Sequence, residues 1–179
     1  MEIMDLYDEN RLLTGETLER GTKCPPGQYR LVVHLALFRP SGEMLIQKRT
    51  ADSPRFPGLW DISVGGAAQQ GDTSQQAMER ELAEELGLRQ SFAHIRPAFT
   101  INFSEGYDDM YVMVKDISLE DLTLQPEEVV DARWATKEEI HQLIQEEVFI
   151  PYGKSLIDLL FFMRDHQGSF TFSRTDRSV

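Results

Sequence analysis

Apolar residues in this chain fall into short, strand-like runs that are separated by turn-forming residues. Two such runs, Leu31–Phe38 and Met44–Arg49, are joined by a turn at Pro40-Ser41-Gly42. Three later runs also predict strands, namely Ala98–Phe103, Met110–Val114 and Glu128–Trp134. The pattern after these runs predicts a helix from Lys137 to Glu146 and another from Pro151 to His166, with Pro151 in a first helical turn.

A further helix is predicted inside the segment 65–88, which reads GGAAQQGDTSQQAMERELAEELGL. Thr73 with Gln76 three residues later is a capping-box pattern, and Gly87 provides a C-terminal stop. An apolar row at positions i, i+4 and i+8 can anchor this helix to a core through Met78, Leu82 and Leu86.

Three glutamates, Glu81, Glu84 and Glu85, lie three and four residues apart in the predicted helix and therefore share one face. Like charges held this close repel one another unless a cation compensates them. Carboxylate-rich ligation selects hard divalent cations such as Mg²⁺ or Mn²⁺, whereas zinc would usually show Cys or several His. A solvated acidic helix face is the alternative interpretation, and the three glutamates alone do not decide between the two.

The whole segment resembles the signature of the Nudix hydrolases. That signature is Gly, five residues, Glu, seven residues, Arg-Glu, an aliphatic residue, any residue, Glu-Glu, any residue, Gly and an aliphatic residue. The matching positions are Gly66, Asp72, Arg80, Glu81, Leu82, Glu84, Glu85, Gly87 and Leu88, with Asp72 standing where the family has Glu. Nine fixed positions at set spacing are a specific match. The resemblance implies an α/β fold, a Nudix-type α/β/α sandwich with a mixed central sheet.

The same resemblance implies a metal-dependent hydrolase that cleaves a pyrophosphate linkage in a nucleoside diphosphate linked to another moiety, or in a related small diphosphate. By similarity, Glu81, Glu84 and Glu85 are metal ligands or the catalytic base, and the backbone carbonyl of Gly65 is a further ligand. Arg80 stands where the family's arginine orients these carboxylates through an ion pair, for which Asp72 is the expected partner.

Candidates outside the signature rest on weaker signals. Glu127 and Glu128 match the region where many family members place an additional carboxylate, and we include Glu128 among the catalytic candidates; an exposed acidic turn is the alternative. Arg49 could bind a phosphate, and Trp60 and Tyr107 could stack on a base as substrate-binding residues. For all three, ordinary surface or packing roles are the alternative interpretation.

Two alternative functions stay open at this point. The strands before the signature also resemble the isopentenyl-diphosphate isomerase branch of the superfamily, whose catalytic cysteine follows the tryptophan that precedes the signature. Here the corresponding stretch, 60–64, reads WDISV, and the single cysteine, Cys24, precedes the first domain strand. A non-enzymatic nucleotide-binding sensor on the same fold is the other alternative, although a sensor has no need to retain all three glutamates.

Composition narrows the class of protein. The chain has 179 residues, 41% of them hydrophobic and 27% charged, as is normal for one soluble globular domain. Its net charge of −12 argues against binding a nucleic acid polymer, because no basic surface would neutralise the phosphates. A small diphosphate substrate is still compatible with this charge, since bound Mg²⁺ reverses the local field.

The organisation expected from the sequence is a single domain with two extensions. We expect an N-terminal extension over 1–29, laid on the domain or on a partner subunit of a possible homodimer, a Nudix domain over 30–168 and a C-terminal tail over 169–179. The apolar runs are too short to span a membrane, and the N-terminus is acidic, so we expect a cytoplasmic protein that does not bind membranes. One cysteine permits no intrachain disulfide.

Overall fold

A computed structural model of the protein describes residues 2–166, so the tail expected over 169–179 lies outside the described residues. The elements in chain order are β1 (Ile3–Tyr7), β2 (Leu13–Glu19), β3 (Arg30–Phe38), β4 (Met44–Arg49), β5 (Trp60–Asp61), β6 (Val64–Ala67), α1 (Ser74–Leu86), β7 (Phe99–Phe103), β8 (Gly106–Val114), β9 (Val129–Ala135), α2 (Lys137–Gln145) and α3 (Lys154–Asp165). None of the helices in this part of the chain is long and apolar enough to cross a membrane.

The central sheet is mixed, and two of its neighbouring strands, β3 and β4, diverge over most of their length. Strand order along the sheet is β5-β4-β3-β8-β7, with β6 added to β3 and β9 added to β4. β3 runs parallel to β8, but it pairs with β4 only where Phe38 faces Met44, because its first half pairs with β6. Ser63 bridges the opening: its hydroxyl accepts from Leu37 N at 2.8 Å and donates to Leu45 O at 2.6 Å. The end of β4 and the chain of β6 therefore border a gap that α1 faces.

Two apolar clusters lie on opposite faces of this sheet. One is formed by α1 with alternate residues of β3, namely Leu31, Val33, Leu35 and Leu37. The other is formed by α2 and α3 with Ala36 and Phe38 of β3 and with Met44 and Ile46 of β4. Side chains alternate across a strand, so a strand that is apolar at successive positions can pack helices on both faces. This arrangement confirms the predicted α/β/α sandwich with a mixed sheet.

The predicted elements agree with the structure except near two sites. Strand β4 has the predicted bounds, and most other ends agree or differ by one residue, although β8 begins at Gly106 rather than Met110. The prediction that Pro151 lies in a first helical turn is wrong, because α3 begins at Lys154. Ile150 N donates to Trp60 O at 2.8 Å, and this contact with β5 keeps the chain extended ahead of Pro151.

An antiparallel hairpin of β1 and β2 lies on the domain at the N-terminus. Reciprocal backbone hydrogen bonds of 2.8 and 2.9 Å join Tyr7 to Tyr29. Arg11, in the hairpin loop, forms an ion pair with Asp109 of β8, whose surface is 0% exposed. Met4 and Leu6 of β1 are buried, whereas β2 is almost entirely exposed.

Candidate active site

Helix α1 is fixed at both ends by the residues that predicted it. Thr73 Oγ1 accepts a hydrogen bond from Gln76 N at 3.2 Å, and Gln76 Oε1 accepts one from Thr73 N at 2.9 Å. Gly87 takes the left-handed conformation, with φ of 70°, that ends a helix without steric cost in glycine. The predicted apolar row is fully buried against the sheet, so the neighbouring row of glutamates is held at a defined place.

Two of the three glutamates point into the protein, against the chain of β6. Glu85, which is 1% exposed, accepts hydrogen bonds at Oε2 from Gln47 Nε2 at 3.0 Å and from Gly65 N at 3.3 Å. Glu81, which is 6% exposed, lies so close to Gly66 that a Cβ atom there would be 2.0 Å from Glu81 Cδ. Glycine at position 66 therefore leaves room for the carboxyl group of Glu81, which any larger residue would have to displace.

Arg80 connects these carboxylates to the loop before the helix. Its Nη2 donates to Asp72 Oδ2 at 3.1 Å and to Ala67 O at 2.9 Å. Its Nη1 donates to Glu81 Oε1 at 2.8 Å and to the more exposed Glu84 Oε2 at 3.1 Å. The ion pair expected between Arg80 and Asp72 is thus present, and the shorter aspartate is long enough to form it.

The carboxylates are held in surroundings that disfavour their charged forms. Burial raises the pKa of Glu81 to about 7, and the opposing effect of Arg80 does not cancel this rise. Burial, and then the charge of Glu81, raises the pKa of Glu85 well above its ordinary value. The charge of Glu128 adds to both shifts. Buried like charges of this kind create a strong local attraction for a cation.

The residues present fit a hard divalent cation. The side chains that converge here offer oxygen donors, and the buried Oε1 atom of Gln47 has no hydrogen-bond partner. Within residues 2–166, no three acidic, histidine or cysteine side chains already form a closed cage. The hydrogen bonds of Arg80 explain this, since they turn Glu84 and one oxygen of Glu81 toward the guanidinium group.

The two acidic residues before β9 occupy different surroundings. Glu128 is partly buried and close enough to Glu81 and Glu85 to raise both pKa values, whereas Glu127 is exposed. A backbone hydrogen bond of 3.0 Å from Thr50 N to Glu128 O ties this loop to the end of β4. Glu128 is therefore the better placed of the two, and its catalytic role stays a prediction.

Arg49, a predicted substrate-binding residue, is engaged by its own loop. It donates to Ser53 Oγ at 2.7 Å and to Arg55 O at 3.1 Å, and it lies 3.5 Å from Asp61 Oδ2. These contacts order the loop that follows β4 and leave Arg49 fewer free donors for a phosphate.

The two aromatic candidates differ in the surface that they offer. Trp60 is partly exposed, and two cationic groups lie near its ring centroid: Lys48 Nζ at 5.9 Å and the Arg133 guanidinium at 5.2 Å. Tyr107 is 7% exposed, and its hydroxyl donates to Asp8 O at 2.6 Å. Contrary to the prediction for Tyr107, its position is that of a residue that packs the N-terminal hairpin onto the domain, with no free face for a base.

Two residues near the carboxylates were not among the sequence-based candidates. Gln47 lies in an apolar strand and is identified only by its contact with Glu85. Arg20, just after β2, donates to Glu2 Oε2 at 2.5 Å. Burial lowers the pKa of Arg20, but Glu2 and the charges of Glu128 and Glu81 outweigh this and raise it. No local pattern marks Arg20, because the docking of the hairpin brings it to the site.

The fold thus places a helix with buried glutamates against strand β6 and the end of β4. Residues 28–156 match the sequence profile of the NUDIX domain. The chain belongs to the Nudix hydrolase family and is a Nudix-type pyrophosphohydrolase. Members of this family generally act on nucleoside diphosphate derivatives and use divalent cations.

The chain is similar to relatives over most of its length. It is 50% identical over 152 residues to an uncharacterized Nudix hydrolase of Listeria monocytogenes, covering 85% of this chain and 90% of the relative. A crystal structure of a Deinococcus radiodurans protein has a TM-score of 0.70 at 24% identity and covers 89% of this chain and 97% of its own. The NUDIX domain of Shewanella oneidensis NrtR, crystallised with ADP ribose, has a TM-score of 0.56 at 21% identity and covers 76% and 87%.

Proposed function

We propose that this protein, in the cytoplasm, hydrolyses a pyrophosphate linkage in a nucleoside diphosphate linked to another moiety, or in a related small diphosphate. Glu81, Glu84, Glu85 and the Gly65 carbonyl would hold Mg²⁺ or Mn²⁺. The observation that carries the proposal is the burial of Glu81 and Glu85 against β6 with raised pKa values. When bound, such a cation polarises phosphoryl oxygens and lowers the pKa of an attacking water.

The protein groups around this site have separable tasks. Arg80, held by Asp72, orients Glu81 and Glu84 so that their oxygens stay at one end of the sheet. The carboxylate of Glu128 would remove a proton from the attacking water, since a general base must lie within reach of that proton and Glu128 is close to Glu81 and Glu85. Glu81 is the other candidate base, because a pKa of about 7 suits proton transfer near neutral pH.

A positively charged side chain near the site would add to the cation in binding the phosphates of the substrate. Arg20 lies within range of the charges of Glu81 and Glu128, and it is a candidate to contact a phosphate of the substrate. Trp60 keeps a partly exposed ring on which a base could stack, as proposed from the sequence. The ADP ribose bound by the Shewanella domain makes nucleoside diphosphate sugars a sensible first group of compounds to test.

The isomerase alternative lacks a cysteine in the stretch 60–64, where that branch carries its catalytic one. Cys24 lies in the segment that precedes β3. It is buried, and its thiol donates to Glu105 O at 3.5 Å. A non-enzymatic sensor is disfavoured by the buried carboxylates, because such charges cost stability that a binding protein without this chemistry need not give up.

A hydrolysis screen with Mg²⁺ or Mn²⁺ over nucleoside diphosphate sugars, dinucleoside polyphosphates and nucleoside triphosphates tests the proposal, with products identified by mass. Glu84→Gln and Glu85→Gln should remove most of the activity, and excess chelator should abolish it. Glu9→Gln, a change at an exposed glutamate of the hairpin loop, is the matched control and should keep full activity. Normal turnover of both site variants, or full turnover in chelator, would contradict the proposal.

A pair of adjacent variants tests the role of Glu128. Glu128→Gln should lower kcat roughly a hundredfold or more with a much smaller change in KM, because a general base acts in the transition state. Glu127→Gln is the control at an exposed neighbour and should leave kcat unchanged. A normal kcat in both variants would assign proton removal to a glutamate of α1 instead.

A further inference from the structure

Gln47 is a buried polar residue in an otherwise apolar part of β4. Its side chain is 1% exposed, and the three residues before it, 44–46, are apolar and completely buried. Its Nε2 atom donates to Glu85 Oε2 at 3.0 Å, whereas its Oε1 atom has no hydrogen-bond partner within the described protein. The amide therefore points at the carboxylates of α1 with one of its two polar ends unused.

An unpaired buried carbonyl oxygen is costly, because the group has left water without gaining a partner. A Met or Leu side chain would fill a similar volume without that cost. The hydrogen bond to Glu85 accounts for the amino end of the amide only. The unpaired Oε1 atom would gain a partner if a cation, or a water bound to that cation, occupied the site.

We propose that Gln47 is an additional oxygen donor of the divalent-cation site, which it reaches directly or through one water, while its Nε2 atom keeps Glu85 in place. This inference rests on the proposed function, since it requires a cation held by Glu81 and Glu85. Hard cations accept amide carbonyl oxygens as well as carboxylates. A neutral donor suits this position because it adds an oxygen without adding to the repulsion among Glu81, Glu85 and Glu128.

Binding of Mn²⁺ to the full chain, measured from the electron paramagnetic resonance signal of free Mn²⁺, tests the proposal without substrate. Gln47→Met removes both polar ends at similar volume and should weaken Mn²⁺ binding by about 10- to 100-fold, the usual effect of losing a supporting group. Gln47→Glu keeps an oxygen at the same reach and should bind Mn²⁺ at least as tightly as the wild type. Gln145→Met, at an exposed position of α2, is the matched control and should not change binding.

Circular dichroism of the metal-free variants shows whether each one folds. If Gln47→Met does not fold, Gln47→Asn takes its place, because it stays polar but withdraws the oxygen by one methylene, and it should also weaken binding at least tenfold.

The outcomes separate this proposal from the proposed function. Wild-type binding of Mn²⁺ that is lost in Glu85→Gln but unchanged in Gln47→Met would overturn the role of Gln47 and leave the hydrolase proposal intact. Equal weakening in Gln47→Met and Gln47→Glu would also overturn it, since only the support of Glu85 would then matter. Wild-type protein that binds no Mn²⁺ would refute the proposed cation site, and the role of Gln47 with it.

Discussion

Glu81 should make the metal-free protein less stable as the pH rises, and Glu81→Gln should remove that effect. Burial raises the pKa of Glu81 from 4.5 to about 7 in the folded chain, despite its ion pair with Arg80. The folded state therefore holds this proton more tightly than the unfolded state does. The resulting stability is fully present below about pH 4.5 and is lost as the pH rises through about 7.

The magnitude follows from the two pKa values. The difference between about 7 and 4.5, at about 1.36 kcal/mol for each pH unit, corresponds to roughly 3 kcal/mol of unfolding free energy. Glu85 contributes in the same direction, because its pKa is also raised, by burial first and then by the charge of Glu81. Replacing Glu81 removes its own contribution and relieves part of the effect on Glu85.

Urea unfolding in excess chelator at about pH 5 and about pH 8 measures this effect. Wild-type protein should lose roughly 2.5 kcal/mol more stability between the two conditions than Glu81→Gln does, since part of the effect is already lost at about pH 5. At the higher pH the variant should be the more stable protein, since its amide can still accept a hydrogen bond from Arg80 without a buried charge. Glu9→Gln should follow the wild type, because Glu9 is exposed.

Addition of Mg²⁺ provides the complementary measurement. The cation should stabilise wild-type protein most at high pH, where Glu81 is ionised, and should stabilise Glu81→Gln much less. Equal pH dependence in wild type and variant, or a variant that is less stable than wild type at both pH values, would refute the electrostatic reasoning.

Three further changes test other contacts of the structure. Gly66→Ala should lower kcat roughly a hundredfold in a folded protein, because the new Cβ would displace the carboxyl group of Glu81; steady-state kinetics and circular dichroism measure this. Arg11→Met should cost about 3 kcal/mol in urea unfolding by leaving the buried Asp109 without its ion pair, and adding Asp109→Asn should recover most of the loss. Nuclear magnetic resonance should detect no interconversion of isopentenyl and dimethylallyl diphosphate, because Cys24 is buried away from the signature; measurable isomerisation by pure protein would contradict this.

Local sequence signals determined the helix that carries the carboxylates. The caps at Thr73 and Gly87 and the apolar row between them act over three or four residues, so the sequence alone determined where α1 begins, where it ends and which side packs. The spacing of Glu81, Glu84 and Glu85 fixed their common face for the same reason. The Nudix signature then predicted the fold, because nine residues at this fixed spacing are typical of one family.

Contacts between distant segments were decided by the tertiary structure alone. Gln47 meets Glu85 across 38 positions, and this contact depends on how β4 diverges from β3 at Ser63. Arg20 reaches the site only because the hairpin of β1 and β2 docks on the domain. Tyr107 has an aromatic ring that could stack on a base, but the same hairpin covers it. Register, divergence of strands and docking depend on long-range packing, which a pattern of neighbouring residues does not encode.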